Sequence, residues 1–280
     1  VEGVIRVGVF GAAGRMGATV CEAVISAPDL ELVAAVDPSR AGSSLAEVLG
    51  RSGPDLPEIE LASDADGLGR AGADVAVDFT VVAAARENLR WCSEHSVHAV
   101  EGTTGFSEED LEGFARWFGP GSTANAIVTS NFSLGAALMM RCAELCAPHF
   151  SGVELIELHH EHKRDAPSGT SLRTARLIEA ARDAAGSGPL LSDPTEQEVL
   201  AGSRGGVTAG GVRIHSVRLP GLVAHQEVLF GNAGETLSIR HDSTDRVSFM
   251  PGVLMAVRAV ADLPGLTLGL GPLLGADRRA

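Results

Sequence analysis

The chain has 280 residues, 45% hydrophobic and 21% charged, a balance that suits two folded units of ordinary size and excludes disordered or fibrous classes. Twenty-two basic against 36 acidic residues leave a net charge of −14, so most of the surface repels phosphate backbones and anionic lipid, and neither nucleic acid nor membrane is an expected partner. No apolar run reaches the ~18–20 residues of a membrane span, and Val1-Glu2-Gly3-Val4 lacks the pattern of a secretory signal; the expectation is a cytoplasmic protein that catches anionic ligands in a local basic pocket.

Ile5 to Phe10 is a short apolar run rich in β-branched residues, followed by Gly11, Gly14 and Gly17 and then by a helical pattern through Val20, Val24 and Ile25. Leu32 to Val36, Val75 to Phe79, Val97 to Val100 and Ala126 to Val128 read as further buried strands, with helices near 81–95 and 107–118 between them. Strands alternating with helices predict an α/β unit, a parallel sheet with helices on both faces. After about Asn131 the pattern changes: a helix from Ser133 to about Cys146, a strand from Val153 to Leu158, a histidine-rich loop, and a helix starting near Ser168. Three strand-like runs follow, Val212–Leu219, Val223–Phe230 and Glu235–His241, whose short turns Pro220-Gly221 and Gly231-Asn232-Ala233-Gly234 predict antiparallel hairpins. Glycine-rich residues 183–211 read as a long mobile connection. From Arg246 a helix resumes, and Leu266-Thr267-Leu268 is assigned as a last strand of the first unit. The expected division is a dinucleotide-binding domain over 1–130, rejoined by 247–280, and a smaller α+β domain over 131–246 with a mostly antiparallel sheet, a cleft lying between them.

Gly11-Ala12-Ala13-Gly14-Arg15-Met16-Gly17, set between strand and helix, brings backbone N–H groups and the positive end of a helix dipole against a pyrophosphate. Its first two glycines stand three apart rather than two, so the motif is weak alone and also suits plain close packing. Asp37 strengthens it by ending the second strand, where a carboxylate can hydrogen-bond both ribose hydroxyls of an adenosine. An acid there favours NADH; Arg15 and Arg40 are placed to neutralise a 2′-phosphate, so NADPH stays open. Gly102-Thr103-Thr104-Gly105 at another strand end is placed either to border the nicotinamide or to act as an ordinary turn.

Residues Glu157 to Thr170 concentrate titratable groups at a strand end. Lys163 offers a fixed cation or a proton donor, the imidazoles exchange protons near neutral pH, and the N–H groups of Ser168, Gly169 and Thr170 open a helix as a second anion site. A dianion would be held between that helix end and Lys163. A metal on His159, His160 and His162 is opposed by Lys163 and Arg164, and Cys142, Cys146 and His149 lie on an apolar helix with one ligand too few for a structural site, so no metal is expected. With no CxxC pair, Cys21, Cys92, Cys142 and Cys146 are expected to stay reduced.

The glycine turn, Asp78-Phe79-Thr80, Gly102-Thr103-Thr104-Gly105-Phe106, Ser130-Asn131-Phe132-Ser133 and above all His-His-x-x-Lys-x-Asp-Ala-Pro-Ser-Gly-Thr at 159–170 resemble, in order, the signature blocks of the dihydrodipicolinate reductase family. Leu222 to Phe230 is similar to its actinobacterial branch. The resemblance implies a Rossmann-like domain, NADH or NADPH as cofactor, a homotetramer, and reduction of a small cyclic dicarboxylate, 4-hydroxy-tetrahydrodipicolinate by way of dihydrodipicolinate, to tetrahydrodipicolinate on the diaminopimelate route to lysine. Carried over by position, it implies His159 as proton donor and acceptor, Lys163 as second proton donor, and His160, Gly169 and Thr170 as substrate contacts. Its cofactor contacts match Gly11, Ala12, Ala13, Gly14, Arg15, Met16, Asp37, Gly102, Thr103, Thr104, Thr129, Ser130, Asn131 and Phe132. Glu101 departs from the apolar residue many relatives have before the Gly-Thr-Thr turn, and Pro38 stands where some members place a base against the 2′-phosphate. A tetramer also has a reason in the residues: Val217, Leu219, Val228, Phe230, Leu237 and Ile239 exceed what one covering helix buries. Two rival readings are a related two-domain reductase of an amino acid or semialdehyde, and a nicotinamide-sensing regulator, which would bind NADH without oxidising it.

Overall fold

The computed structural model describes residues 3–275, which divide into two compact units. The first takes the chain through Phe132 and again from Phe249; the second is Ser133–Ser248, so the breaks fall two residues beyond the expected 130 and 246. Among the described residues no helix is long and apolar enough to cross a membrane.

The first unit runs β1 (Ile5–Phe10), α1 (Arg15–Ile25), β2 (Leu30–Val36), α2 (Leu45–Leu49), α3 (Asp66–Ala71), β3 (Val75–Asp78), α4 (Val82–Glu94), β4 (His98–Glu101), α5 (Glu108–Trp117) and β5 (Ala126–Val128). Its strands are almost wholly buried, which is why each reads as an unbroken apolar run rather than an alternation. Local signals set the helix ends. Ser107 and Asp110 form a capping box at the start of α5, and Ser44 with Glu47 does the same for α2. Close packing fixes α3 on the sheet, because a side chain at Gly8 would stand 2.4 Å from Leu68.

The second unit continues with α6 (Leu134–Cys146), β6 (Gly152–His159), α7 (Gly169–Ala185), β7 (Gly206–Val207), β8 (Arg213–Arg218), β9 (Ala224–Asn232) and β10 (Glu235–Ser243). The chain then returns to the first unit with α8 (Met250–Ala259) and β11 (Leu266–Leu268). There β11 pairs with β5 and completes a six-stranded, all-parallel sheet in the order β11-β5-β4-β3-β1-β2.

The second sheet has the order β10-β9-β6-β8-β7. Only β9 and β10 form the expected hairpin. The turn at Pro220-Gly221 does not, because β6 lies between β8 and β9, pairing parallel with the first and antiparallel with the second. Burying Val153, Leu155, Val228 and Phe230 of the central strands in one core outweighs the local hairpin preference of the turn. Two helices, not one, cover that core: Met139 and Ala143 of α6 and Ala175 and Ile178 of α7 meet it, with Leu237 and Ile239 packed alongside. Four of the six residues expected to seek a partner surface are therefore satisfied within the unit. The segment 183–211 also differs from expectation. Its first residues finish α7, and beyond them Arg204 binds both Glu154 and Asp193 while Arg213 binds Asp193, which ties the connection to the sheet.

Candidate active site

In the first unit the glycine turn leaves β1 with Gly11 at φ +67, the left-handed region that L side chains rarely adopt. Gly17 is held more tightly still, since a Cβ there would stand 2.0 Å from the Gly11 carbonyl oxygen. The helix that follows has Gly14 as N-cap with no side-chain cap and no acid in its first turn, so its leading N–H groups face outward with the positive end of the dipole. A turn closed to side chains above an uncapped helix is a cradle that fits a pyrophosphate. At the end of β2 the buried Asp37 carboxylate accepts from the Ala13 N–H at 3.0 Å and from the Ser39 N–H and hydroxyl at 3.0 and 2.6 Å. It therefore joins the glycine turn to the place where a ribose would lie, and Ser39 is a partner the sequence reading missed.

The other strand ends of this sheet build a second wall. A Cβ at Gly102 would meet the Phe79 ring at 2.1 Å, and Phe79 packs on Phe132 with ring centroids 5.5 Å apart. The Thr129 hydroxyl donates to the Asn131 carbonyl at 3.1 Å. Gly252 of α8 approaches so closely that a Cβ there would stand 1.9 Å from the Phe132 carbonyl oxygen. Thr103 and Phe132 are buried, whereas Thr104 and Ser130 are exposed.

In the second unit His159 and Lys163 belong to one polar network. The His159 Nδ1 bonds the Glu157 carboxylate. Glu157, with no exposed surface, takes a two-point bond from Arg218 at 2.7 and 2.9 Å. The Arg218 guanidinium also donates to the Asp165 carbonyl at 2.7 Å, and the Asp165 carboxylate accepts from Lys163 Nζ at 2.8 and 2.9 Å. Burial alone would raise the Glu157 carboxyl, but bonds from His159, Arg218 and Ser216 outweigh it and hold the group at about 2. The adjacent Lys163 lowers Asp165 in the same sense. None of Glu157, Arg218 and Asp165 was singled out from sequence.

Next to this network α7 begins. The Ser168 hydroxyl is buried and caps the helix, accepting from the Ser171 N–H at 3.2 Å and bonding the Ser171 hydroxyl at 2.9 Å. The bonds continue from Ser171 to Gln226 and from Gln226 to Thr174. Ser168 is thus committed to the helix, and any contact with a ligand falls to backbone groups and to Gly169, whose α-carbon borders open space. His160 is exposed beside His162. Among the described residues no three His, Cys, Asp or Glu side chains gather as metal ligands.

Comparison with known proteins agrees over the whole length. Residues 5–132 match the N-terminal model of dihydrodipicolinate reductase and residues 135–273 its C-terminal model. The chain is 50% identical over 273 residues to the 4-hydroxy-tetrahydrodipicolinate reductase of Cutibacterium acnes, covering 98% of this chain and all of that one. It is 48% identical over 270 residues to the enzyme of the same name from Nocardia farcinica, covering 96% and 98%. A dipicolinate-bound dihydrodipicolinate reductase from Paenisporosarcina sp. TG-14 superposes with a TM-score of 0.81 at 38% identity, covering 96% and 99%. An amine dehydrogenase from Mycobacterium smegmatis, 18% identical over 95% of each chain with a TM-score of 0.61, shares the fold alone. Sequence, fold and relatives converge, and the chain belongs to the dihydrodipicolinate reductase family.

Proposed function

We propose that this chain reduces 4-hydroxy-tetrahydrodipicolinate, by way of dihydrodipicolinate, to tetrahydrodipicolinate with NADH or NADPH, in the diaminopimelate route to lysine. The observation that carries the assignment of roles is the continuous network His159–Glu157–Arg218–Asp165–Lys163 at the end of β6. The turn Gly11 to Met16 would hold the pyrophosphate, Asp37 the adenosine ribose, and Gly102 to Thr104 with Thr129 to Phe132 the nicotinamide side. The bound dihydronicotinamide supplies two electrons as hydride; the chain's residues supply the proton and the orientation.

A hydride delivered to a conjugated imine leaves negative charge that one proton must neutralise. Lys163 Nζ carries such a proton and, with the N–H groups opening α7, also suits a substrate carboxylate. The Glu157 carboxylate fixes His159 with Nδ1 as its hydrogen-bonded nitrogen, which leaves Nε2 as the atom that takes and releases a proton, and stabilises the imidazolium whenever it forms. Arg218 keeps Glu157 ionised and, through the Asp165 carbonyl, holds the loop that bears Lys163. His160, Gly169 and Thr170 complete the substrate side.

A homotetramer is part of this reading. Alternation along the strands places Ile156, Leu158, Val217 and Leu229 on the sheet face opposite the two helices, where each remains partly exposed and a second copy would cover them. A cytoplasmic location follows from the need for the NAD(P)H pool. The test is to follow NADH absorbance with freshly generated dicarboxylate and purified protein. Substrate-dependent oxidation inhibited by dipicolinate is expected; NADH binding without oxidation would overturn the assignment in favour of a sensor.

A further inference from the structure

Two strand ends of the first unit carry acids in register: Asp78 closes β3 and Glu101 closes β4, and the two are partners across the parallel pair. Both are buried, Glu101 completely. Each accepts the backbone N–H two residues ahead, Asp78 from Thr80 at 2.7 Å and Glu101 from Thr103 at 2.5 Å. The Gly102 N–H donates to the Asp78 carbonyl at 2.9 Å, so the two loops are sewn together beneath their surface.

The donors are shared unequally. Asp78 is served on both oxygens, the second by the Asn88 amide of α4 at 2.7 Å. Glu101 is served on Oε1 only; its Oε2 is buried with no partner, as are the hydroxyls of Thr80 and Thr103 on the two adjoining loops. Two ionised carboxylates at neighbouring strand ends, out of water and with three donors between them, repel strongly. The unit relieves this by keeping one of them neutral, and the acid with fewer donors is the one that keeps the proton.

We propose that Glu101 is a positioning residue: it holds one proton for the Asp78–Glu101 pair, and that proton keeps the Gly102-Thr103-Thr104 turn in the shape that receives the nicotinamide end of the cofactor. This rests on the reading that the turn borders the nicotinamide. The acid properties agree, since burial and then the Asp78 charge push the Glu101 carboxyl well above its ordinary range, and burial also raises Asp78 against the bonds from Thr80 and Asn88. From α4 the groups facing the pair are Asn88, which is neutral, and the Cys92 thiol, which burial and then the two acids push well above its own ordinary value. Neither adds a positive charge that would let both carboxyls ionise. Above the pH at which Glu101 loses its proton the pair carries two charges, the turn loosens, and cofactor affinity falls.

The test compares wild type with Glu101→Gln, which copies the protonated acid in shape and charge. Difference infrared spectra at neutral pH are expected to show a protonated carboxyl band in wild type that Glu101→Gln lacks. Titration with NADH, read by nicotinamide fluorescence, is expected to weaken at least about tenfold in wild type as pH rises into the alkaline range, in step with loss of that band. Glu101→Gln should bind NADH within about twofold of wild type at neutral pH and keep that affinity at alkaline pH. A wild type without the band overturns the proposal. So does a Glu101→Gln protein that melts like wild type but binds NADH tenfold more weakly at neutral pH, or one that keeps the wild-type alkaline loss. Failure of both proteins to bind NADH at any pH would sink the cofactor reading, and the positioning role with it, while the infrared band still decides where the proton sits.

Discussion

Replacing Glu157 with Gln removes one charge from the buried network and leaves its shape. The carboxyl is held at about 2 instead of its ordinary 4.5, which corresponds to roughly 3 kcal/mol of stability at neutral pH. Because the folded value is the lower one, that contribution is complete above the ordinary value and disappears as pH falls through about 2. The stability difference between wild type and Glu157→Gln should therefore be flat from neutral pH down to the ordinary carboxylate range and then close in acid. Some of the roughly 3 kcal/mol survives in the variant, since a Gln carbonyl still accepts one bond from Arg218. Catalysis gives a separate readout. The Gln carbonyl can still receive the His159 Nδ1–H and preserve the tautomer, but it no longer stabilises an imidazolium, so kcat should fall about 10- to 100-fold, short of the full ~10²–10⁴ of general acid–base catalysis. NADH oxidation at saturating dicarboxylate measures this, and its pH profile should change because the Glu157 charge that faces the imidazolium is gone. NADH affinity should not change, since the glycine turn belongs to the other unit. A Glu157→Gln enzyme that unfolds more easily yet keeps wild-type kcat and pH profile would show that the network is only structural and refute the assignment of His159.

Lys163→Ala should lose at least about a hundredfold in kcat with NADH binding intact; a raised KM at unchanged kcat would leave Lys163 a carboxylate anchor and nothing more. Asp37→Ala should raise the ratio of NADPH to NADH affinity while weakening both somewhat, because the Ala13 and Ser39 donors lose their acceptor along with the ribose; equal losses for the two cofactors would remove Asp37 as the ribose reader. Ile156→Asp, on the sheet face opposite the helices, should convert the proposed tetramer to smaller species by light scattering, and a wild type already at the 28.8 kDa of one chain would refute that proposal.

The strands of the first unit were legible almost to the residue because their signals are local, while the short helices α2 and α3 between β2 and β3 were not read. Ile5–Phe10 and Ala126–Val128 are the strands read from sequence, and β2 gains only Leu30 and Glu31. Strands buried on both faces leave unbroken apolar runs, and their ends are marked by glycine, aspartate or threonine that the turn chemistry demands. The return of the chain as β11 was also read, from Leu266-Thr267-Leu268 after a helix, and that strand pairs with β5. Glu101 was visible as an anomaly, an acid at the end of an apolar run, but its partner was not, because the Asp78–Glu101 pairing depends on which strands become neighbours.

The same distinction explains the second unit. An acid at Glu157 continues the inward series Val153 and Leu155, and a charge on the buried face of a strand needs a partner, so a period-two reading of β6 would have marked Glu157, although it was not singled out. Arg218 was hidden for a topological reason. Read as a hairpin with the strand after Pro220-Gly221, β8 would have lain against β9 and kept Arg218 away from the histidine strand. The observed order puts β8 directly beside β6, with His159 opposite Arg218, and the guanidinium reaches Glu157 and the Asp165 carbonyl from there. The motif at 159–170 thus names the residues proposed to do the chemistry, while the residue that joins them comes from a strand some sixty positions later, placed by burial of the central core rather than by any local signal.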